Sequence, residues 1–229
     1  MRDRRYRADT QVRPYKIHIM LAAVILAAGE SRRMGTPKAL LPFPTTAVAT
    51  EGITTFVEHL RSIAQHPRIG LRRVVLGAHA EEIRSRAQLA PADVVVNAAW
   101  ATGQLSSIQA AIRSLPPGGS APLTTGGTDG IMLFLVDHPL ITAGLVGTLV
   151  EQFYASKRRI VIPTYNGKRG HPVIFASSLY DELLAAPAEH GARAVVWAHA
   201  DEVLEIPTDE EGVVLNLNDP ETMKRVFPA

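Results

Sequence analysis

The sequence predicts an α/β domain of three layers: a doubly wound, mostly parallel sheet with helices on both faces. Three observations carry that expectation. Short β-branched or apolar runs alternate with longer amphipathic segments, the pattern of parallel strands joined by crossover helices. The most unusual polar clusters, "GESRRMGTPK" at 29–38 and "DHP" at 137–139, directly follow apolar runs, where the loops of such a sheet gather ligands. No internal repeat or break in composition marks a second domain, and 229 residues suit one substantial core.

Taken in order, residues 1–19 hold six cations against two acids, more than the whole chain's net charge of +2. The rest of the chain is therefore slightly acidic, and a basic arm of this kind is read as a solvated, disordered extension rather than a nucleic-acid surface. The arm and the following "IHIMLAAVILAAG" have the outline of a secretory signal, with Arg4 and Arg5 as a twin-arginine pair. Two acids interrupt that outline, and cleavage there would destroy the next loop. The apolar run is therefore expected to be a buried first strand centred on 23–26, with Met20 as a candidate start and 20–229 as the domain. No run is long and apolar enough for a membrane span. The chain has no cysteine, which excludes disulfides, zinc thiolates and thiol catalysis and fits a cytoplasmic setting.

Further strands are expected at 72–78, 94–97, 131–136 and 159–163, and helices at 54–64, 80–90, 104–115 and 143–156. The segment 116–130 is rich in Gly, Pro and Thr and reads as a mobile surface loop.

The loop "LAAGESRRMGTPKALLPF" at 26–43 combines Gly29 and Gly35 with Arg32, Arg33 and Lys38. Glycines let backbone N–H groups turn into one concavity, and the cations add charge around it, a composition suited to a polyphosphate. A strand-to-helix connection with solvated arginines is the plainer alternative. Walker A spacing is absent because Lys38 lies three residues past Gly35, and no G-x-G-x-x-G occurs. Asp137, at the end of an apolar strand, suits a divalent cation that also takes waters and phosphate oxygens. It suits equally the cap of a helix beginning at Pro139. Ser106 or Ser107 suits the cap of the helix at 104–115, and Trp100 and Trp197 read as packing residues.

The first loop resembles the signature L-A-A-G-x-S-x-R-M-G-x-x-K-x-L-L-P of nucleotidyltransferases related to the molybdenum cofactor cytidylyltransferases and guanylyltransferases. "VVLGAHAEEI", "WATGQLSSIQAAI", "LVDHPLI", "YNGKRGHPVIF" and "VVLNLNDPETM" follow in the order of the cytidylyltransferase branch. The resemblance implies a single-domain Rossmannoid fold of the nucleotide-diphospho-sugar-transferase type. It implies that Ala27, Ala28, Gly29, Ser31, Arg33, Gly35 and Lys38 wrap a nucleoside triphosphate, with Arg33 and Lys38 catalytic toward the leaving pyrophosphate. Arg32 occupies a variable position of the signature.

By the same resemblance, Gly103, Gln104, Ser106 and Ser107 lie near the base, and Gly170, His171 and Pro172 near the acceptor. Asp137 would hold Mg2+, with a second ligand from a late D-x-D segment that here reads Asn216 and Asn218. An amide oxygen coordinates without bringing charge, so the site would hold its metal with fewer negative charges than the signature provides. The implied substrates are CTP and molybdopterin, with a recipient molybdoenzyme or its chaperone as a partner. GTP, another phosphorylated acceptor, or a non-catalytic carrier of nucleotide and cofactor remain the alternatives.

Overall fold

The computed structural model describes residues 20–44, 54–116 and 127–228. The arm expected at 1–19 lies outside these residues, as does most of the loop expected at 116–130.

The strands are β1 (Met20–Ala27), β2 (Pro42–Phe43), β3 (Thr54–Thr55), β4 (Ile69–Leu76), β5 (Val94–Val96), β6 (Thr128–Leu135), β7 (Ile160–Tyr165), β8 (Lys168–Arg169), β9 (Val173–Ala176) and β10 (Val203–Pro207). The helices are α1 (Phe56–Ile63), α2 (Ala80–Arg86), α3 (Gln104–Arg113), α4 (Ala143–Ser156), α5 (Tyr180–Ala185), α6 (Arg193–Ala198) and α7 (Pro220–Val226). The main sheet runs β10-β7-β9-β6-β1-β4-β5, with β8 paired to β7, while β2 and β3 form a small antiparallel pair of their own. β9 is antiparallel to both its neighbours, β6 and β7; β1 lies parallel to β4 and β6, β5 to β4, and β10 to β7.

Strand β1 shows how sequence makes the layers. It is buried along nearly its whole length, as expected for a central parallel strand. Leu21, Ala23, Ile25 and Ala27 point to one face, where they join Leu60 of α1, Ile83 of α2 and Leu149 of α4. Ala22, Val24 and Leu26 point to the other, with Ile108 of α3, Leu183 of α5 and Val195 of α6. The alternation of strand side chains thus supplies both cores from one segment. Local signals set the helix starts: Thr55 and Glu58 form a reciprocal capping box on α1, and the Thr142 hydroxyl accepts from Leu145 N at α4.

Several boundaries depart from the sequence expectation. β6 starts at Thr128, so 128–130 is strand rather than loop. Pairing decides this: Thr128 aligns with Met20, and Gly130 has no Cβ to strike the Phe175 carbonyl on β9. α2 stops at Arg86, ahead of the turn that Pro91 begins. The later strands β8, β9 and β10 and helices α5, α6 and α7 were not anticipated.

Among the described residues no helix is long and apolar enough to cross a membrane.

Candidate active site

The C-terminal ends of β1, β4, β5 and β6 lie along one edge of the sheet, and their loops surround a cleft of about 900 Å3. Because β9 runs antiparallel, its beginning rather than its end reaches this edge, with Val173 paired to Leu133 near the end of β6. That single reversal brings Gly170 and His171 into a cleft otherwise built from strand ends.

The loop after β1 holds its shape through a few specific contacts. Ser31 adopts a left-handed φ of 56° and Gly35 one of 68°; the first is a strained position for a residue with a side chain. Ser31 Oγ accepts from the Lys38 backbone N–H at 3.0 Å and closes the loop across its own chord. The loop is also tied to the turn after β4, where Ala78 N donates to Ala28 O at 3.1 Å and a His79 ring nitrogen lies 3.0 Å from Glu30 O. Gly77 allows that approach. A Cβ at this position would lie 2.5 Å from Ala28 O and 2.6 Å from the Trp100 Cβ.

At the floor, the Lys38 ammonium stands 3.3 Å from Asp137 Oδ2 and donates to Asn218 Oδ1. The Leu217 backbone N–H donates to the Asp137 carbonyl at 2.7 Å, which fixes the late segment beside the end of β6. Asn216 lines the cleft, while Asn218 reaches it through Lys38. Asp137 does not cap a helix: α4 begins six residues later and is capped by Thr142.

Of the other positions singled out from the sequence, Ala27, Ala28, Gly29, Ser31, Gly103, Gln104 and Ser107 line the cleft together with Lys38, Asp137, Gly170 and His171. Arg33, Gly35, Ser106 and Pro172 do not contribute to its walls. Arg33 is exposed, and its charge helps to hold the Asp219 carboxyl low, after the larger effect of the Thr222 backbone N–H. Arg32 does line the cleft and is paired with Glu30 at 2.7 Å.

The serines of α3 are not caps, since Gly103 at φ 113° holds the N-cap position. They receive instead the buried Asn97 side chain, whose Nδ2 donates to Ser106 Oγ at 2.8 Å and Ser107 Oγ at 3.0 Å. Asn97 was missed by sequence reasoning; an asparagine ending a valine run just before a turn was the available signal.

His171 and His138 meet edge to face, 5.3 Å between ring centres, each with a buried Nδ1 lacking a partner among the described residues. Burial lowers the pKa of both, that of His171 to about 4. His171 is therefore neutral at ordinary pH. Its backbone N–H donates to Val213 O at 2.8 Å, and Gly170 lies so close to Val213 that a Cβ would come within 2.3 Å of that oxygen.

The Lys38 contacts bear on metal binding. A cation already sits where oxygens of Asp137 and Asn218 converge, and Asn216 lines the same cleft. All three side chains offer hard oxygen donors, the set that Mg2+ or Mn2+ prefers when substrate phosphates complete the shell. The residues therefore fit a divalent ion.

The chain is similar to several known proteins. Among curated relatives, the nicotine blue oxidoreductase of Paenarthrobacter nicotinovorans is 32% identical over 168 residues, which is 69% of this chain and 72% of that protein. A probable molybdenum cofactor guanylyltransferase of Mycobacterium bovis is 27% identical over 203 residues, 87% of this chain and 90% of its own. Among solved structures, Rv0371c of Mycobacterium tuberculosis H37Rv covers 92% of this chain and 99% of its own at 24% identity, with a TM-score of 0.72; its manganese complex aligns at 0.67. These structural neighbours establish the fold. A family model described as the MobA-like NTP transferase domain matches residues 23–203. That match runs from β1 into β10 and takes in the loop, the acid at the sheet edge and the reversed strand, so the chain belongs to the MobA-like NTP transferase family and is a nucleotidyltransferase.

Proposed function

We propose that the protein transfers a cytidylyl group from CTP to the phosphate monoester of molybdopterin, forming the cytosine dinucleotide of the cofactor and releasing pyrophosphate. The observation that carries this reading is the convergence of Lys38, Asp137 and Asn218 beneath the β1 loop, with Gly103, Gln104 and Ser107 on one side and Gly170 and His171 on the other. The guanylyltransferase name of the Mycobacterium bovis relative supports a molybdopterin acceptor. The choice of CTP over GTP rests on the resemblance of "RGHPVIF" to the cytidylyltransferase branch.

In this mechanism an oxygen of the acceptor phosphate attacks the α-phosphorus, the bond from that phosphorus to the β-phosphate bridging oxygen breaks, and pyrophosphate leaves with the electron pair. The chain's main tasks are alignment and charge balance. Backbone N–H groups of the 28–35 loop hold the phosphates, and Lys38 turns from Asp137 and Asn218 to the β- and γ-phosphates as charge builds on the leaving group. Arg33, exposed and outside the cleft wall, would have to swing inward to reach them. A divalent ion held by Asp137, Asn216 and Asn218 supplies Lewis-acid neutralisation of phosphate charge when bound. His171, neutral and buried, shapes the acceptor side. It need not remove a proton, since the second pKa of a phosphate monoester lies near 6.

The test mixes the full chain with molybdopterin, Mg2+ or Mn2+ and each ribonucleoside triphosphate in turn, with pyrophosphate and the product mass as readouts. CTP should give the most product. Dominance by GTP would reassign the nucleotide, and binding of nucleotide without pyrophosphate release would make the chain a carrier. The 32% identity to a protein named as nicotine blue oxidoreductase adds one arm supplied with NADH and nicotine blue, in which NADH oxidation coupled to reduction of that dye, without pyrophosphate release in the other arms, would replace the transfer reading.

A further inference from the structure

The cleft continues beyond the nucleotide side. Arg169, Gly170, His171 and Arg193 form a wall common to it and to a second cavity of about 550 Å3. The second cavity has an apolar floor of Leu26, Leu133, Ile162, Val173 and Phe175, all on the sheet face that α3, α5 and α6 cover. Its rim is α6, which carries Trp197.

Two side chains of α6 are otherwise unexplained by the fold. Trp197 lines the second cavity yet is 60% exposed, so the packing role expected from the sequence does not hold. The His190 ring meets it edge-on at 5.5 Å and helps to fix its orientation. An indole left this open on the wall of a cavity is available to stack on a ring bound there. Arg193, one helical turn away, is also exposed, lines both cavities and makes no ion pair among the described residues. Arg169, by contrast, is held by Glu205 at 2.7 Å. A guanidinium placed at the junction of two cavities suits a phosphate passing between them.

We propose that Trp197 and Arg193 select the acceptor. Arg193 pairs with its phosphate monoester at the junction, and Trp197 closes over a flat heteroaromatic ring laid on the apolar floor. The volume lies within the usual range for small-molecule sites, roughly 300–1,000 Å3. The exposed indole discriminates between acceptor classes: a ring offers it a face to stack on, whereas a polyol or sugar phosphate offers none. The wider cleft, by comparison, presents Ser31, Lys38, Asp137 and Asn216. The two cavities thus differ in position and in the side chains they present. This inference rests on the reading of the larger cleft as the nucleotide site.

The experiment is calorimetric binding to the full chain of neopterin monophosphate, a ring-bearing phosphate monoester, and of glycerol 3-phosphate, a ringless one, with CTP titrated separately. The wild-type protein should bind the ring-bearing ester on the order of tenfold more tightly than the ringless ester, the size of one aromatic stacking contact. Trp197→Ala should erase that preference, Trp197→Phe should keep most of it, and neither should change CTP affinity. Arg193→Ala should weaken both esters by similar factors. Because Trp197 is exposed, folding is not at issue for its variants, and Trp197→Phe separates loss of stacking from any local disturbance. Equal binding of the two esters by the wild-type protein, or an undiminished ring preference in Trp197→Ala, would overturn the proposal. If CTP failed to bind while the Trp197-dependent preference persisted, the nucleotide reading would fall and the pocket assignment would stand.

Discussion

The two sides of the cleft are made by different means. The proposed phosphate-binding part is a contiguous stretch, Ala27 to Lys38, bent by the left-handed Ser31 and Gly35 and closed by its own Ser31–Lys38 bond. The proposed acceptor side is assembled from distant pieces: the turn between β8 and β9, the late segment around Val213, and α6. One is local chain geometry plus charge, and the other is long-range packing. Charge-bearing local loops tolerate the loss of a side chain without loss of the fold, whereas packed assemblies couple the site to stability. Substitutions on the two sides should therefore fail differently.

The largest effect is expected on the charged side. Asp137→Ala removes a carboxylate whose recorded side-chain partner is Lys38, while the structural bond to Leu217 N comes from the Asp137 backbone. Turnover should fall by about a thousandfold with little change in the melting temperature. A rate within about tenfold of wild type would remove Asp137 from the reaction.

Lys38→Met should cost roughly a hundredfold in turnover, and it also makes a prediction of opposite sign. In the nucleotide-free chain the ammonium occupies the oxygens of Asp137 and Asn218. With both asparagines neutral, Asp137 alone supplies formal negative charge among the three proposed ligands, and Lys38 cancels it. Removing the ammonium should tighten Mn2+ binding to the nucleotide-free protein by about tenfold, read by the electron paramagnetic resonance signal of free Mn2+. Unchanged Mn2+ affinity would mean that the Lys38 contact does not compete with metal.

The same division explains what the sequence disclosed. The β1 loop was legible because its chemistry is contiguous: glycines, a serine and cations within ten residues, following an apolar strand. The role of Asp137 relative to α4 was left open by local rules, since Asp before Pro fits a cap; only the tertiary path showed Thr142 taking that position. The helix α4 was legible to its exact ends because its apolar period is long, while β9 and β10 were missed because each is only four or five residues and is decided by its neighbours. Trp197 was read as packing because burial is the ordinary fate of an indole, and no local signal reports that a helix leaves its face over an open cavity. Asn97 was overlooked for a related reason: its partners lie on the next helix.

On the packed side, acid should reveal the coupling. Burial, and secondly the charge of His138, hold the His171 pKa at about 4 against an ordinary 6.5. Between these values the unfolded chain binds a proton at His171 that the native chain refuses, so stability is intact above pH 6.5 and declines as pH falls toward 4. From pH 7.5 to pH 5 this one residue should remove about 2 kcal/mol. Urea unfolding at the two pH values should show His171→Gln losing less than the wild-type chain by about that amount. Parallel losses would mean that the histidine is not held neutral by its surroundings.

Asn97 lies between the two regimes and sharpens the contrast at smaller scale. It is only 5% exposed and makes three side-chain bonds: to both serines of α3 through Nδ2, and from Ala99 N to its Oδ1 at 3.0 Å. Ser106 keeps other partners in the Ala99 and Gly103 carbonyls, so Asn97→Ala leaves chiefly Ser107 and the Ala99 N–H short, a cost of about 1–2 kcal/mol. Gly103, Gln104 and Ser107 line the nucleotide side of the cleft from the start of this helix. A loosened helix start should therefore raise the KM for the nucleoside triphosphate while leaving kcat nearly unchanged, because the charged loop proposed to act on the phosphates is anchored elsewhere, on Ala28 and Ser31. A lowered melting temperature with an unaltered KM would make Asn97 a packing residue only and would place the boundary between the two kinds of construction nearer the β1 loop.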